Sequence, residues 1–257
     1  MISRRSLPIA RISGQLLLRD PAPTIVMVAM PLILAPFLAP AAKAQLQLAG
    51  YPAASGGDQI IPGLAVLFAF LSTQLVGTLF FREHAWGTWN RLRASPASTV
   101  DIVLGKVAPL YVAQLLELGV LLTAGWLLFG YRPNGSVLAL ALVVATLAAM
   151  LVAFGVMLVA LFSTMDMALV LGGLGGMVMS GLGGALAPVS SLPPWAQVVA
   201  HFSPAYWALN AMRAITLNHA GLVDVAGSIG VLLLFGAGFS AVAAWRFRPA
   251  AVKIGTT

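Results

Sequence analysis

The chain has 257 residues, of which 60% are apolar and only 8% charged, and its mean hydropathy is +0.96. A domain that folds in water is roughly 45–50% apolar and about 25% charged, so the composition excludes a water-soluble fold and places the chain in a bilayer. The net charge of +7 would point to nucleic acid in a soluble protein, but in a membrane protein excess Lys and Arg first report orientation. Without Cys the chain can form neither a disulfide framework nor a thiolate metal site.

Residues 1–23 carry Arg4, Arg5, Arg11 and Arg19, with Ile9, Ile12, Leu16 and Leu17 at helical spacing between them. That pattern predicts a basic amphipathic helix lying on the membrane surface with its apolar stripe in the acyl boundary. A twin-arginine leader cleaved near Ala42-Lys43-Ala44 is the competing reading. It fits less well, because the apolar stretch starts only after Arg19 and Asp20 and is longer than the usual run of about 7–15 residues.

Six apolar spans follow, at about 24–42, 60–81, 107–129, 136–162, 168–187 and 222–245, each 19 to 27 residues long. At about 1.5 Å per residue each can cross a hydrocarbon core of about 30 Å. Six crossings return both termini to one side, and the loops then divide unevenly. Arg4, Arg5, Arg11, Arg19, Arg82, Arg91, Arg93, Lys106, Arg246, Arg248 and Lys253 fall on the side of the termini, whereas only Lys43, Arg132 and Arg213 fall on the other. Positive loops stay cytoplasmic, so both termini are expected in the cytoplasm of a cell whose inner membrane the chain crosses. The same asymmetry explains the basic excess without a nucleic-acid partner.

Between the second and third spans, residues 82–99 form the largest connection on the side of the termini. Ala85, Trp86, Trp89 and Leu92 share one face of a short helix whose polar face bears Arg82, Glu83, Asn90 and Arg91. Pro96 ends it, and Ser98 with Asp101 makes a capping box that starts the next helix, with Gly105-Lys106 at the head of the third span. Within that span Glu117 lies one turn from Gln114. A carboxyl group at mid-bilayer is expensive, so it should face the bundle interior as the neutral acid or bonded to a neighbour. It serves either as a proton or cation contact in a translocation path or as a hydrogen-bonded packing residue.

Asp166 is expected to cap the fifth span. That span carries Gly172, Gly176, Ser180 and Gly184, a small residue at every fourth position, which lets another helix approach closely. Residues 188–221 are too broken to cross. Pro193-Pro194 opens one short helix through about His201, and Ser203-Pro204 supplies an N-cap and a first-turn proline for a second that runs to about Asn218. Together they read as an outer re-entrant helical hairpin, with Trp195, Tyr206 and Trp207 at headgroup depth and Ser203, Pro204, Asn210 and Arg213 at an outer gate. His84, His201 and His219 are scattered and match no metal-ligand spacing. No nucleophile triad is legible, so a membrane-anchored enzyme or assembly factor has no residue to support it.

The run Arg82-Glu83, Gly87-Thr88, Leu92-Arg93-Ala94-Ser95-Pro96, Asp101 to Lys106, together with Phe202-Ser203-Pro204-Ala205-Tyr206-Trp207 through Asn210 and Arg213, resembles the type-2 permeases of ATP-binding cassette (ABC) exporters. The resemblance covers nearly the whole chain. It implies an all-α, six-span permease, residues 1–257 forming one transmembrane domain, that pairs with a second permease copy or paralogue and with two separate ABC ATPase subunits. It also implies that residues 82–96 form a cytoplasmic coupling helix seated on the ATPase, with Glu83, Gly87, Thr88, Arg91, Leu92, Arg93, Ser95 and Pro96 as docking residues. The first, second and fifth spans would line the path, and the substrate would be drug-like, lipid-linked or a polysaccharide. ATP and magnesium would sit on the partner, with no cofactor on this chain, since Gly105-Lys106 lacks the upstream Gly and the following Ser or Thr of a phosphate-binding loop. Glu117 departs from the uncharged third span expected of the family. It carries the rival reading of a proton-coupled secondary transporter, for which paired repeats and a second buried ionisable group would be usual.

Overall fold

The structure is a computed structural model, and it describes residues 6–85, 95 and 97–246. Among these residues it is built from helices without strands: α1 (Ser6–Arg19), α2 (Ala22–Leu48), α3 (Gly57–Leu71), α4 (Gln74–Ala85), α5 (Thr99–Phe129), α6 (Val137–Leu161), α7 (Met165–Leu182), α8 (Pro194–Ala200), α9 (Pro204–Leu217) and α10 (Leu222–Arg246). Among the described residues six helical stretches are long and apolar enough to cross a membrane: α2, α3 with α4 through Arg82, α5, α6, α7 and α10.

Local chemistry sets several boundaries. At the start of α5, Ser98 Oγ accepts from the Asp101 backbone N–H at 3.1 Å while the Asp101 carboxylate accepts from the Ser98 N–H at 3.0 Å. This is the reciprocal capping box the sequence predicts. Its partner at the far end is Gly130, which closes α5 in the left-handed conformation at φ +68°. Ser136 caps α6 and Ser203 caps α9 through backbone N–H groups, with Pro204 in the first turn. The fifth span departs from expectation at its start, where Thr164 is the capping residue and Asp166 lies one step inside the first turn. It also stops at Leu182, because the chain turns at Gly183 and Gly184 rather than continuing to residue 187.

The second span is not one straight helix. At Ser72 and Thr73 the hydrogen bonding tightens to the i→i+3 pattern: Thr73 N–H donates to Phe70 O at 3.2 Å, Leu75 N–H to Ser72 O at 3.0 Å and Val76 N–H to Thr73 O at 3.0 Å. The Thr73 hydroxyl also donates to Phe70 O, at 2.6 Å. Hydroxyl side chains that compete for backbone carbonyls favour this kind of break.

In the packed bundle α3 is the central rod. Every residue from Gly57 to Phe70 is buried, against α2, α5, α7 and α9. The α6 and α10 helices pack closely, and Phe154 of α6 lies with ring centroids 5.2 Å from Phe239 of α10 and 6.1 Å from Phe70 of α3. By contrast, Ile33 and Phe37 of α2, Val170 and Leu174 of α7 and Leu234 of α10 point outward and exposed, as lipid-facing residues must where the solvent is hydrocarbon.

Alternating spans give the bundle two ends. One, here the basal end, gathers α1, the end of α4 and the starts of α2, α5 and α7; the hairpin end carries α8 and α9. Sequence periodicity assigns the apolar stripe of α1 to lipid, but the structure divides it. Ile9 is buried against α5 at Gly105, where an added Cβ would lie 2.7 Å from the Ile9 Cβ. Leu16 and Leu17 are half-buried, and of the stripe Ile12 remains exposed. Because α5 bears a glycine at the crossing, burial of Ile9 outcompetes its insertion into lipid.

Candidate functional site

The break in the second span positions a polar cluster in the middle of the bundle. Ser72 is 3% exposed and donates from Oγ to Glu117 Oε1 at 2.7 Å. One turn earlier on α5, Gln114 is also buried, and its Nε2 has no partner among the described residues. Thr24, Leu75, Val76, Leu110 and Val152 close around these groups. The remaining space, about 10 Å³, is the size of a single water site. Glu117 and Gln114 therefore share one interior face, as their spacing predicts, with that small space beside them. The sequence does not reveal that the second span breaks opposite Glu117; the Ser72-Thr73 pair in an otherwise apolar run is the signal that could have found it.

At the basal end, Lys106 is fully buried. Its ammonium donates to Leu79 O at 3.2 Å and sits 4.8 Å from the centre of the Phe80 ring. This residue, which charge counting treats as a loop cation, instead joins α5 to the last turns of α4. Nearby, Arg82 pairs with Asp20 at 3.5 Å, both side chains about half exposed. Arg82 opens the segment the sequence singles out for docking, and Lys106 lies beyond its end. Of those docking residues, Glu83 lies in α4 with its side chain outside the described residues, as are Gly87, Thr88, Arg91, Leu92, Arg93 and Pro96 altogether. Ser95 is described, half-buried, with its Oγ accepting from Ala97 N–H at 3.4 Å.

Small residues of α7 lie at helix contacts. Gly172 faces Leu158 of α6, Gly176 faces Phe70 of α3, and buried Ser180 donates back to Gly176 O at 2.7 Å. Gly184 sits beyond the helix at φ +94°, a conformation L side chains rarely adopt.

At the hairpin end, Arg213 donates through Nη2 to Gly184 O, a carbonyl that also accepts from Gln59 Nε2 at 3.5 Å. Burial lowers the Arg213 pKa from its usual 12.5 to about 10, with Tyr206 acting in the opposite direction, so it stays cationic at neutral pH. Ser203 donates to Met179 O at 2.7 Å, tying the hairpin to the end of α7. Trp207 Nε1 donates to His201 O at 2.9 Å, and Tyr206 packs against His201 at 4.4 Å between centroids. Pro204 is buried in the first turn of α9, Asn210 is exposed, and Trp195 is exposed on α8. Asp58 and Tyr131, which the sequence did not single out, complete this end. Asp58 accepts from the backbone N–H groups of Ser55 at 2.8 Å and Arg132 at 2.9 Å. Tyr131 is 1% exposed and receives the Thr216 hydroxyl at 3.4 Å. Burial and the nearby Asp58 charge push its phenol up to about 12, against the lowering effect of Thr216.

No group of three or more His, Cys, Asp or Glu side chains able to hold a metal is present among the described residues. The described residues form a helical bundle with six helices long and apolar enough to cross a membrane, a broken second span, a buried carboxyl group opposite the break and two short helices at one end. The family model for ABC-2 type transporters matches residues 9–217. The chain belongs to the ABC-2 type transporter family. It is similar to the linearmycin resistance permease protein LnrN of Bacillus subtilis (strain 168), 28% identical over 175 residues, which are 68% of this chain and 45% of that protein. It is also similar to the "Probable multidrug ABC transporter permease YbhR" of Escherichia coli (strain K12), 26% identical over 190 residues, 74% of this chain and 52% of that one. The chain spans about half the length of the curated relatives it matches.

Proposed function

We propose that this chain is the permease subunit of an ABC exporter that moves an amphipathic substrate, drug-like, lipid-linked or polysaccharide, out of the cytoplasm. ATP and magnesium are held by two separate ATPase subunits, and a second permease copy or paralogue completes the path. The observation that carries this reading is the family match, which runs from α1 through the whole of α9. The resistance and multidrug permeases among the relatives favour amphipathic, drug-like cargo. The apolar spans agree, since small ions need rings of charge or carbonyls.

In this reading the basal end faces the cytoplasm of a cell whose inner membrane the chain crosses, as its excess of Lys and Arg favours. Residues 82–99 dock on the ATPase, with Glu83, Gly87, Thr88, Arg91, Leu92, Arg93, Ser95 and Pro96 as contacts. Closure of the ATPase pair shifts the population between inward- and outward-facing packings of the spans. The buried Lys106 link supports transmission, because it joins α4 and α5 on either side of the docking segment. The hairpin of α8 and α9 acts as a re-entrant outer gate, and the path runs between the two permease copies.

Co-purification of the tagged protein from native membranes tests this, with mass spectrometry and an ATPase assay on the product. A stoichiometric soluble ATPase is expected, with its association weakened by Glu83→Ala combined with Arg93→Glu while membrane insertion is retained. Undiminished association of that double variant would overturn the docking assignment.

Burial of Glu117 beside Gln114 favours one second reading, a proton-coupled secondary transporter. The two separate on Glu117→Gln. ATP-dependent export survives this substitution, whereas proton-coupled transport is lost together with its dependence on the proton gradient.

A further inference from the structure

A polar row runs up one face of α4. Gln74, Thr78 and Arg82 follow one another at four-residue spacing, which stacks them on the same side of the helix. All three line a cavity of about 150 Å³ that separates α4 from α1 and α2. Asp20 and Ser72 line it as well, among apolar residues such as Leu17 and Met27. Asp20 and Arg82, the 3.5 Å ion pair, are each about half exposed, whereas Ser72 is 3% exposed. The α2 span begins at Ala22 and the second span ends at Arg82, so the pair lies at the membrane boundary. From there to Gln74 the helix climbs eight residues, about 12 Å.

Polar groups decide what fills such a space. An apolar cavity stays dry, whereas one that holds unpaired polar groups takes up water. The Gln74 amide makes no hydrogen bond among the described residues, and an unpaired amide inside a membrane is costly. Thr78 Oγ donates to Gln74 O at 3.1 Å and keeps its lone pairs for a donor. The volume admits about five waters at about 30 Å³ each. Ser72 and Leu75 line both this cavity and the space of about 10 Å³ beside Glu117, where Gln114 Nε2 is unpartnered in its turn. Unpaired amides thus flank the Ser72 hydroxyl on both sides, and that hydroxyl donates to Glu117.

We propose that the cavity is a hydrated vestibule. Water enters past the Asp20–Arg82 pair, follows Thr78 and Gln74, and reaches Ser72, one hydrogen bond from Glu117. The mid-membrane carboxyl group is thereby approached by water of the basal end within a single chain rather than between two copies. The vestibule follows from this chain's own packing and holds whether ATP or a proton gradient drives the cargo.

Cysteine accessibility tests this in the full chain reconstituted in liposomes, and the chain contains no cysteine of its own. The probe is 2-aminoethyl methanethiosulfonate, which reacts with the thiolate, a form that needs water around it. Its rate is read as loss of later labelling by a fluorescent maleimide under denaturing conditions. Thr78→Cys and Ser72→Cys should each react at least about tenfold faster than Leu234→Cys, whose side chain faces lipid at mid-span. Leu17→Trp, which fills the cavity from α1, should slow both by about tenfold and leave Leu234→Cys unchanged. An unchanged elution volume on size exclusion shows that each variant is folded. Reaction at Thr78→Cys as slow as at Leu234→Cys would show a dry cavity and overturn the proposal. Fast reaction at Thr78→Cys with slow reaction at Ser72→Cys would overturn it too, since water would then stop short of Glu117. So would rates that Leu17→Trp does not slow, because the probe would be arriving by another route.

Discussion

Ser72 and Glu117 meet across the break in the second span, the serine hydroxyl donating to the carboxyl oxygen at 2.7 Å with both residues almost fully buried. The break frees the Ser72 side chain to turn toward α5, and the bond in turn satisfies a polar group that would otherwise sit unpaired in hydrocarbon. The two features are one piece of structure: removing the hydroxyl strands the acid, and removing the acid strands the hydroxyl.

Glu117→Gln keeps an acceptor for Ser72 and should unfold within about 1 kcal/mol of wild type. Glu117→Ala leaves the Ser72 hydroxyl unpaired and should cost about 1–3 kcal/mol. Because Ser72→Ala removes the same bond, the Ser72→Ala, Glu117→Ala double variant should lose less than the sum of the two. Thermal unfolding in detergent, followed by fluorescence-detected size exclusion, checks all four.

Lys106→Met preserves most of the side-chain volume while removing the donor to Leu79 O and the cation over Phe80. The expected loss is about 1–3 kcal/mol. Local exposure distinguishes this from a general weakening: amide hydrogen exchange should accelerate in α4 and at the start of α5 while the α6–α10 pair keeps its wild-type protection. Uniform acceleration across the bundle would show that Lys106 does not act as a local link.

Gly105→Leu should detach α1, because the first added carbon already lies 2.7 Å from the Ile9 Cβ and 2.9 Å from Ser6 O. Overpacking of this kind costs roughly 1–3 kcal/mol. Ile9→Ala in the same chain should recover part of that loss by removing the Ile9 Cγ2 that lies 2.9 Å from the added carbon, while the Ile9 Cβ stays in place. The measurement is limited proteolysis between α1 and α2, which should be fastest in Gly105→Leu and intermediate in the double variant.

Arg213→Met removes the buried donor to Gly184 O, and Gly184→Ala places a side chain at φ +94° with its Cβ 3.2 Å from Arg213 Nη1. Losing a charged hydrogen bond should cost about 1.5–3 kcal/mol, and the strained alanine about 1–3 kcal/mol. Both should loosen the turn between α7 and α8, seen as faster hydrogen exchange in residues 183–192. Neither should alter protection at the basal end.

Much of the fold is legible in the sequence because bilayer physics is local. A run of about 20 apolar residues must satisfy its backbone internally and becomes a helix wherever it sits. Ser98 with Asp101 and Ser203 with Pro204 announce helix starts through bonds made within a few residues. Lys106, Arg213 and Asp58 were not readable in this way. The sequence puts Lys106 at the head of a span and Arg213 in the hairpin and does not single out Asp58, yet each bonds to a backbone group that lies far along the chain: Leu79 O, Gly184 O and Arg132 N–H.

The sequence by itself determined the solvent, the number of spans, the short capped helices of the hairpin end and the pairing of Glu117 with Gln114 on one helix face, all of which follow from composition and 3.6-residue periodicity. Only the tertiary structure decided that the second span breaks opposite Glu117, that Ile9 turns from lipid to Gly105, and that Asp20 pairs with Arg82. Those outcomes depend on which helix faces meet, and inside a membrane the choice rests on close steric fit and buried polar bonds rather than on hydrophobicity, which the lipid supplies equally to every face.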